Sequence, residues 1–349
     1  MSARQILQSF EGWRAAGEPL VLATVYDTLG STYSKAGHRI LLAGSGDYRG
    51  LVSGGCLEGD LAERARQVIA ADRPVAVTYD LRDVADELWG LAVGCNGLLR
   101  VFLQPLTAAR GYEPFKSIAA VQNATGGAGL ATVIEGPDAG ATVIATATQH
   151  DALGFATAVP AAIVSGALAA ADQGTARLVT SAGTTVLYAP LRAIPKLLVL
   201  GAGLDAVPLL GMALELGWFV TVADHRPAYL ARPGFDRADR KVLVEPGRLA
   251  HALPLVEFEA VVVMSHHLPT DRKYLAELAS FAHRYVGVLG PRARRERLLD
   301  DLGDVATPLR ARLKGPVGLD IGADSPESIA LSILAELQST LVHRFDGSA

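Results

Sequence analysis

The sequence has little cysteine and no excess of charge of either sign. Only two of its 349 residues are cysteines, which argues strongly against a disulfide framework. Its 32 basic and 36 acidic residues give a net charge of −4, so no strong positive field favours nucleic acid or an anionic membrane. We therefore expect neither of these as a partner.

The chain also lacks a recognisable secretory signal and an unbroken apolar run. Residues 1–13 contain no apolar core of the kind that a signal peptide has. The longest uncharged stretch, residues 152–171, is interrupted by Gly154, Pro160 and Gly166, and we interpret it as a buried strand followed by a helix. These absences predict a soluble, cytoplasmic protein.

What the chain does have is enough apolar sequence, 50% of its residues, to build more than one core. We predict a first α/β unit at residues 1–106 and a variable middle α/β segment, packed with the first, at residues 107–190. Pro190 and Pro195 mark a linker. Residues 196–345 then alternate apolar strands with helices, which predicts a Rossmann-like, doubly wound parallel sheet.

The first unit is predicted to begin with a helix, since Ile6, Phe10 and Trp13 share one helical face and Gly17 follows as a stop. A second helix is expected after Cys56, where the apolar period changes. A Gly-Ser-Gly-Asp turn predicts a hairpin between the second and third strands of this unit. The strand-like runs are residues 20–26, 39–43, 49–53, 75–79 and 98–103.

A glycine turn in the third segment carries the pattern of a dinucleotide-binding fold. Gly201 and Gly203 follow a predicted strand and precede a helix; the first permits a tight turn, and the second lets a phosphate approach the backbone. Asp224 ends the next strand, where an acidic side chain would bind ribose hydroxyls. The pattern is more specific for the fold than for the cofactor.

Asp205 argues against a bound nicotinamide dinucleotide. An aspartate at the start of the helix can cap the free N–H groups itself, which would put a negative charge in the space that a pyrophosphate needs. Pro208 fits the first turn of the same helix, where a missing N–H costs little. We therefore favour a structural Rossmann domain without NAD(P), and an NAD(P)-binding domain remains the alternative.

Both cysteines lie in glycine-rich turns. Gly54 and Gly55 precede Cys56 between a strand and a helix, where exposed N–H groups suit an anion and the helix N-terminus lowers the pKa of a thiol. Cys95 lies between Gly94 and an Asn-Gly pair. Each cysteine could instead be a small buried hydrophobe in a tight turn. No His or Cys lies between them to complete a zinc-finger spacing.

Several of these motifs closely resemble the XdhC/CoxI family, the accessory factors of xanthine dehydrogenase and related molybdenum hydroxylases. The most specific stretch is the serine-glycine-glycine-cysteine-x-glutamate-glycine sequence of residues 53–59. The resemblance covers nearly the whole chain apart from most of residues 107–190. Its other segments are residues 23–25, 30–33, 50–52, 89–91, 94–97, 201–208, 224–227, 285–290 and 316–323.

The resemblance implies a protein that binds the molybdenum cofactor, as molybdopterin or its cytosine dinucleotide form. It further implies protection of the cofactor during sulfuration and its insertion into an apo-hydroxylase. The implied partners are an apo-molybdenum hydroxylase and a cysteine desulfurase, and we expect a homodimer. The residues fit, since the glycine-flanked helix start suits the pterin phosphate and a thiolate suits a soft dithiolene–molybdenum centre.

On this view one group of cofactor-binding residues surrounds the two cysteines, and either thiol could contact molybdenum. The group is Ser53, Gly54, Gly55, Cys56, Glu58 and Cys95. Glu58 either hydrogen-bonds the pterin ring or is only a first-turn acid that the helix dipole favours. Ser31 and Thr32 either face the same cleft or serve turn chemistry.

A second group is expected at the carboxyl edge of the parallel sheet, where ligands of such sheets bind. It comprises Gly201, Gly203, Asp224, His266 and Arg292. A cluster of arginines also lies here, and it consists of Arg292, Arg294, Arg295 and Arg297. Their guanidinium groups could bind a phosphate, or the cluster could be a solvated basic face of a helix. The adjacent pair His266 and His267 has three open interpretations: a polar loop, a substrate or pterin contact, and a metal site.

We therefore expect a maturation chaperone rather than a turnover enzyme. The competing hypothesis is an NAD(P)-dependent oxidoreductase that uses Asp224 for the ribose and Cys56 or a histidine for chemistry. A bare interaction scaffold is a third class, and it would leave the glycine-cysteine turns without a purpose.

Overall fold

The structure is a computed structural model that describes residues 2–82 and 97–342. The chain divides into two compact units, residues 1–193 and 194–349. In the described ranges, no helix combines the length and apolarity needed to cross a membrane. The predicted mixed α/β class is confirmed, while the boundaries of the three predicted segments stay predictions.

The first sheet of the first unit is antiparallel, with the strand order β3-β2-β1-β5-β4. Its strands are β1 (Leu20–Gly30), β2 (Arg39–Ala43), β3 (Tyr48–Arg49), β4 (Val75–Asp80) and β5 (Gly97–Leu106). The predicted hairpin is confirmed, because Leu41 pairs with Arg49. The third strand is shorter than predicted, because the chain turns at Gly50, where φ is +106°. The backbone passes so close to Ile40 there that a Cβ on Gly50 would lie 2.4 Å from the Ile40 side chain.

Both predicted helices of this region are confirmed. They are α1 (Ala3–Ala15) and α2 (Glu58–Ala71). Helix α2 packs on the first sheet through Leu61, Ala65 and Val68, which are buried together with the inward residues of β1 and β5. This packing fixes the position at which α2 begins, directly after the glycine-cysteine turn.

The second sheet of the first unit is also antiparallel, in the order β8-β7-β6-β10-β9. Its strands are β6 (Gly127–Glu135), β7 (Thr142–Ala145), β8 (His150–Leu153), β9 (Arg177–Ser181) and β10 (Thr184–Arg192). Helices α3 (Phe115–Asn123) and α4 (Ala161–Gln173) belong to the same region. The two sheets share a buried cluster of Tyr26, Phe102, Ile134 and Leu187.

The second unit is a parallel six-stranded sheet in the order β13-β12-β11-β14-β15-β16. This is the strand order of a doubly wound Rossmann sheet, as predicted. The strands are β11 (Lys196–Leu200), β12 (Phe219–Asp224), β13 (Arg240–Leu243), β14 (Ala260–Val263), β15 (Tyr285–Val288) and β16 (Leu313–Lys314).

Helices cover both faces of this sheet. They are α5 (Ala206–Glu215), α6 (Pro227–Leu230), α7 (Leu249–Ala252), α8 (Leu268–Leu278), α9 (Arg292–Leu302), α10 (Thr307–Arg310) and α11 (Pro326–Val342). Residues of α5 and α11 share one core with the sheet, and residues of α8 and α9 share the other. Ser325 caps α11, since its Oγ accepts the N–H of Ser328 at 3.2 Å. Because the six strands are parallel, their carboxyl ends lie along one edge of the sheet, the carboxyl edge.

Candidate functional site

The first candidate site is the turn between β3 and α2. Gly54 and Gly55 are exposed there, with φ angles of +79° and +118° that glycine adopts without strain. A Cβ on Gly55 would meet no atom within 4 Å, so the space in front of this backbone is open. The N–H groups of Gly54, Gly55 and Cys56 have no acceptor within the described chain. The turn thus presents three consecutive free donors.

A single buried carboxylate holds this turn in place. Glu58 is fully buried, and its Oε1 accepts the N–H of Val52 at 2.7 Å and that of Ser53 at 3.0 Å. Its Oε2 accepts the Ser53 hydroxyl at 2.7 Å, and Ser53 Oγ accepts the N–H of Leu57 at 2.8 Å. Burial by itself raises the pKa of Glu58, but the hydrogen bonds from Ser53 and Val52 outweigh it and lower that pKa.

This network gives Glu58 a structural role in the turn, and its hydrogen bond to a pterin ring stays a prediction. Both carboxylate oxygens are used inside the protein, and the Ser53 hydroxyl belongs to the same network. Glu58 and Ser53 therefore shape the turn by fixing its backbone.

A partly exposed thiol and an exposed aromatic ring border the open donors. Cys56 is partly exposed. The Tyr33 ring is 62% exposed and lies 3.7 Å from where a Cβ on Gly54 would be. The Thr32 hydroxyl donates to the carbonyl of Ser34 at 2.8 Å, so Thr32 serves turn chemistry.

The second predicted thiol, Cys95, lies outside the described residues. In residues 2–82 and 97–342, no three His, Cys, Asp or Glu side chains are grouped in a way that could hold a metal ion. A metal contact by Cys56 or Cys95 stays a prediction.

The second candidate site is the turn between β11 and α5, at the carboxyl edge of the parallel sheet. Gly201 is required there, because its φ is +128° and a Cβ would lie 2.4 Å from the Met264 carbonyl oxygen. Asp224 is fully buried at the end of β12, and its carboxylate accepts the N–H of Ala202 at 2.7 Å and that of Arg226 at 2.9 Å. The Arg226 guanidinium completes a two-point ion pair at 2.9 and 2.7 Å.

Asp224 therefore fixes the glycine turn, and its contact with ribose hydroxyls stays a prediction. Its carboxylate is shielded from solvent and both oxygens are occupied. Burial by itself raises the pKa of Asp224, whereas the hydrogen bonds from Arg226 and Ala202 lower it more, so the net pKa is lowered.

The cap predicted for Asp205 is wrong. Asp205 has the N-cap position of α5, but its side chain makes no cap hydrogen bond. Its Oδ2 instead lies 2.8 Å from His266 Nε2, and its Oδ1 lies 2.3 Å from where a Cβ on Gly203 would be. A negative charge nevertheless lies over Gly203, in the space that a pyrophosphate would occupy.

The predicted arginine cluster divides among different roles. Arg294 lies at the carboxyl edge and pairs with the buried Asp271 at 2.7 Å. Arg295 donates to the Leu313 carbonyl at 2.8 Å and so ties α9 to β16. The Arg292 side chain is 84% exposed and lies 3.9 Å from Glu296, and its assignment to the ligand site stays a prediction.

An open cleft of about 1270 Å³ lies along this edge, and we call it the carboxyl-edge cleft. It is bounded by the glycine turn after β11, by residues that follow β12, β14 and β15, and by the segment between β16 and α11. Two residues that the sequence did not single out, Tyr229 and Arg232, belong to its lining. Neither lies in a motif, which is why no sequence signal pointed to them.

In comparisons with known proteins, each of the two units matches a family model. The model of the XdhC and CoxI family matches residues 13–80, and that of the XdhC Rossmann domain matches residues 197–337. A relative from Bacillus subtilis (strain 168), described as a probable xanthine dehydrogenase subunit, is 31% identical over 326 residues and covers 93% of each chain. An uncharacterized Escherichia coli (strain K12) protein, YqeB, is 31% identical over 41% of this chain and 27% of its own length.

A solved structure shares the fold over the full chain. It is a protein from Bacillus halodurans described as a xanthine dehydrogenase, with a TM-score of 0.79 and 28% identity. The match covers 100% of this chain and 98% of that one. With the extensive match to the Bacillus subtilis relative, these findings show that the chain belongs to the XdhC/CoxI family.

Proposed function

We propose that this protein is an accessory factor of a xanthine dehydrogenase-type molybdenum hydroxylase. It binds the molybdenum cofactor, supports its sulfuration and inserts it into the apo-enzyme. Family membership supports the association with xanthine dehydrogenase, since the Bacillus subtilis relative is described as a component of that enzyme. A cysteine desulfurase as second partner and a homodimeric state are part of the proposal.

The observation that carries the cofactor proposal is the open turn at residues 54–56. Three consecutive N–H groups without acceptors in the described chain, at the start of a helix, suit a phosphate group. The partly exposed Cys56 thiol suits a soft metal centre. The exposed ring of Tyr33 beside Gly54 offers a flat face to a pterin. The residues present therefore fit the cofactor chemically.

The chain's own residues would hold the cofactor in a simple way. The N–H groups of Gly54 and Gly55 would donate to the phosphate, and the thiol of Cys56 would be available to the metal. Glu58 keeps the turn in shape, because its carboxylate fixes the backbone of residues 52 and 53. When bound, the cofactor supplies a molybdenum centre that takes up a sulfur ligand. The glycines are exposed, so a partner enzyme can reach a cofactor held there.

Purified protein from a host that makes the cofactor tests this proposal. We expect molybdenum by elemental analysis, a pterin fluorescence signal, and activation of an apo-hydroxylase. Wild-type protein that carries neither molybdenum nor pterin after such expression, and activates no hydroxylase, would contradict the proposal.

The thiol is tested separately by Cys56→Ala and Cys56→Ser. Both variants should stay folded and lose retention or sulfuration of the cofactor, because serine keeps the shape of the side chain but not its affinity for soft metals. Cys95→Ala is expected to act in the same way from the sequence pattern alone. If all three variants keep the wild-type molybdenum content and activate the client fully, the thiol role is wrong.

A further inference from the structure

The carboxyl-edge cleft contains an arginine, Arg232, whose side chain forms no ion pair with any described residue, although the carboxylates of Asp205 and Asp320 belong to the same lining. The Tyr229 ring lies between two guanidinium groups, those of Arg226 and Arg232, each 3.6 Å from the ring centroid. Arg226 is anchored by Asp224. The Arg232 guanidinium has no hydrogen-bond or ion-pair partner among the described residues, and its residue is only partly exposed. It is therefore a flat, positioned donor fork without an acceptor there.

Exposed apolar side chains line the same cleft. Leu204 is 67% exposed, Leu319 is 45% exposed and Ile321 is 50% exposed. Large apolar side chains that gather around one cleft gain free energy when a ligand covers them, at roughly 25 cal/mol per Å² of apolar surface. The lining thus favours a ligand that joins a planar, largely apolar ring to an anionic group.

The glycine turn limits that anionic group to one phosphate. The carboxylate of Asp205, held by His266, lies over Gly203 and repels a second phosphate at the turn. Arg294 does not compensate, because Asp271 already pairs with it at 2.7 Å. Arg232 remains as the free anion-binding group of the cleft among the described residues.

We propose that the carboxyl-edge cleft binds a nucleoside monophosphate or a group of that chemistry. The fork of Arg232, which lies over the Tyr229 ring, donates to the phosphate, and the base lies against the wall formed by Leu319 and Ile321. The site lies wholly within the second unit and does not depend on the function proposed for the open turn of the first unit.

Calorimetric titration of the full-length protein with CMP and AMP tests the inference. Wild-type protein should bind at least one of them saturably, and more tightly than inorganic phosphate or NADH. Arg232→Gln should weaken the affinity at least tenfold, or about 1.4 kcal/mol. Arg240→Gln removes the same charge from the start of β13, at the opposite edge of the sheet, and should leave the affinity unchanged.

Three results would overturn the inference. They are the absence of nucleotide binding to the wild type, equal affinity of the wild type and Arg232→Gln, and binding of inorganic phosphate as tight as that of the nucleotides. A control on the apolar wall is Ile321→Ser, which should weaken nucleotides but not phosphate. The molybdenum content of the wild type is read independently, so a failure here is distinct from a failure of the proposed function.

Discussion

The two glycine turns of this protein are built alike and differ in what covers them. In each, a fully buried carboxylate accepts backbone N–H groups: Glu58 accepts those of residues 52 and 53, and Asp224 accepts those of residues 202 and 226. The first turn leaves Gly55 and the Cys56 thiol accessible, whereas Asp205 lies over Gly203 in the second. A glycine turn before a helix therefore indicates a fold, and the side chain above it decides which ligand can enter.

Removing the buried carboxylate of the second turn should have the largest effect. Asp224→Asn leaves the partly buried Arg226 without its anion, and the loss of one partner of a buried pair costs about 3–5 kcal/mol. Hydrogen exchange of the amides in residues 197–204 should accelerate strongly. Asp236→Asn is the control, since Asp236 is 79% exposed in its pair with Lys241, and it should change little. Equal exchange in the two variants would show that Asp224 does not fix the turn.

The corresponding change in the first turn should have a smaller effect. Glu58→Gln keeps the size of the side chain but replaces a charged acceptor, and hydrogen bonds to charged groups contribute about 1.5–3 kcal/mol. Hydrogen exchange in residues 50–57 should accelerate. Glu63→Gln lies in the same helix with an exposed ion pair and serves as the control. Unchanged exchange in Glu58→Gln would contradict the network.

The pH dependence of stability should report the same carboxylates. The folded pKa of Glu58 lies below its ordinary value of 4.5, and that of Asp224 lies below 3.8. The stability that they contribute is therefore fully present above those ordinary values and is lost as the pH falls through the folded pKa values. In acid denaturation, Glu58→Gln should show a shallower loss of stability below about pH 4.5 than the wild type. Identical slopes would count against the lowered pKa of Glu58.

Uncovering the second turn should have the smallest effect on stability. Asp205→Gly removes a hydrogen-bonded contact with a His266 side chain that is 57% exposed, so the cost in free energy of unfolding stays below about 1 kcal/mol. Its affinity for NADH should rise, because the like charge above Gly203 is gone. Asp205→Asn removes the charge of the side chain but keeps its volume, so it shows which of the two excludes the dinucleotide. Tight NADH binding by the wild type in calorimetry would refute the idea that Asp205 closes this turn to a dinucleotide.

The local elements of both turns could be predicted from the sequence. The stripe of Leu61, Ala65 and Val68 predicts α2, and the alternating apolar runs beyond Pro195 predict the parallel sheet, because burial periodicity is a local signal. The truncation of β3 could not be predicted in this way, since it depends on how closely Gly50 approaches Ile40 of the neighbouring strand.

The side-chain partners at the two turns were harder to predict. Glu58 lies five residues after Ser53, which is not the spacing of a capping box. The hydrogen bonds between the Glu58 carboxylate and this loop therefore could not be recognised from the sequence. Asp205 and His266 are 61 residues apart, and only the folded sheet brings them together. Contacts of this kind depend on tertiary geometry, and they decide which turn is open.

The molybdenum content of Gly55→Ala compared with that of Gly59→Ala tests the central claim most directly. Gly55 has φ +118°, which strains any residue with a Cβ, whereas Gly59 lies in α2 with no atom within 4 Å of an added Cβ. Both variants should keep the wild-type circular dichroism. We expect Gly55→Ala to lose most of its molybdenum and pterin and Gly59→Ala to keep the wild-type ratio. Equal, undiminished molybdenum in both variants would contradict the claim that the open turn of the first unit holds the cofactor.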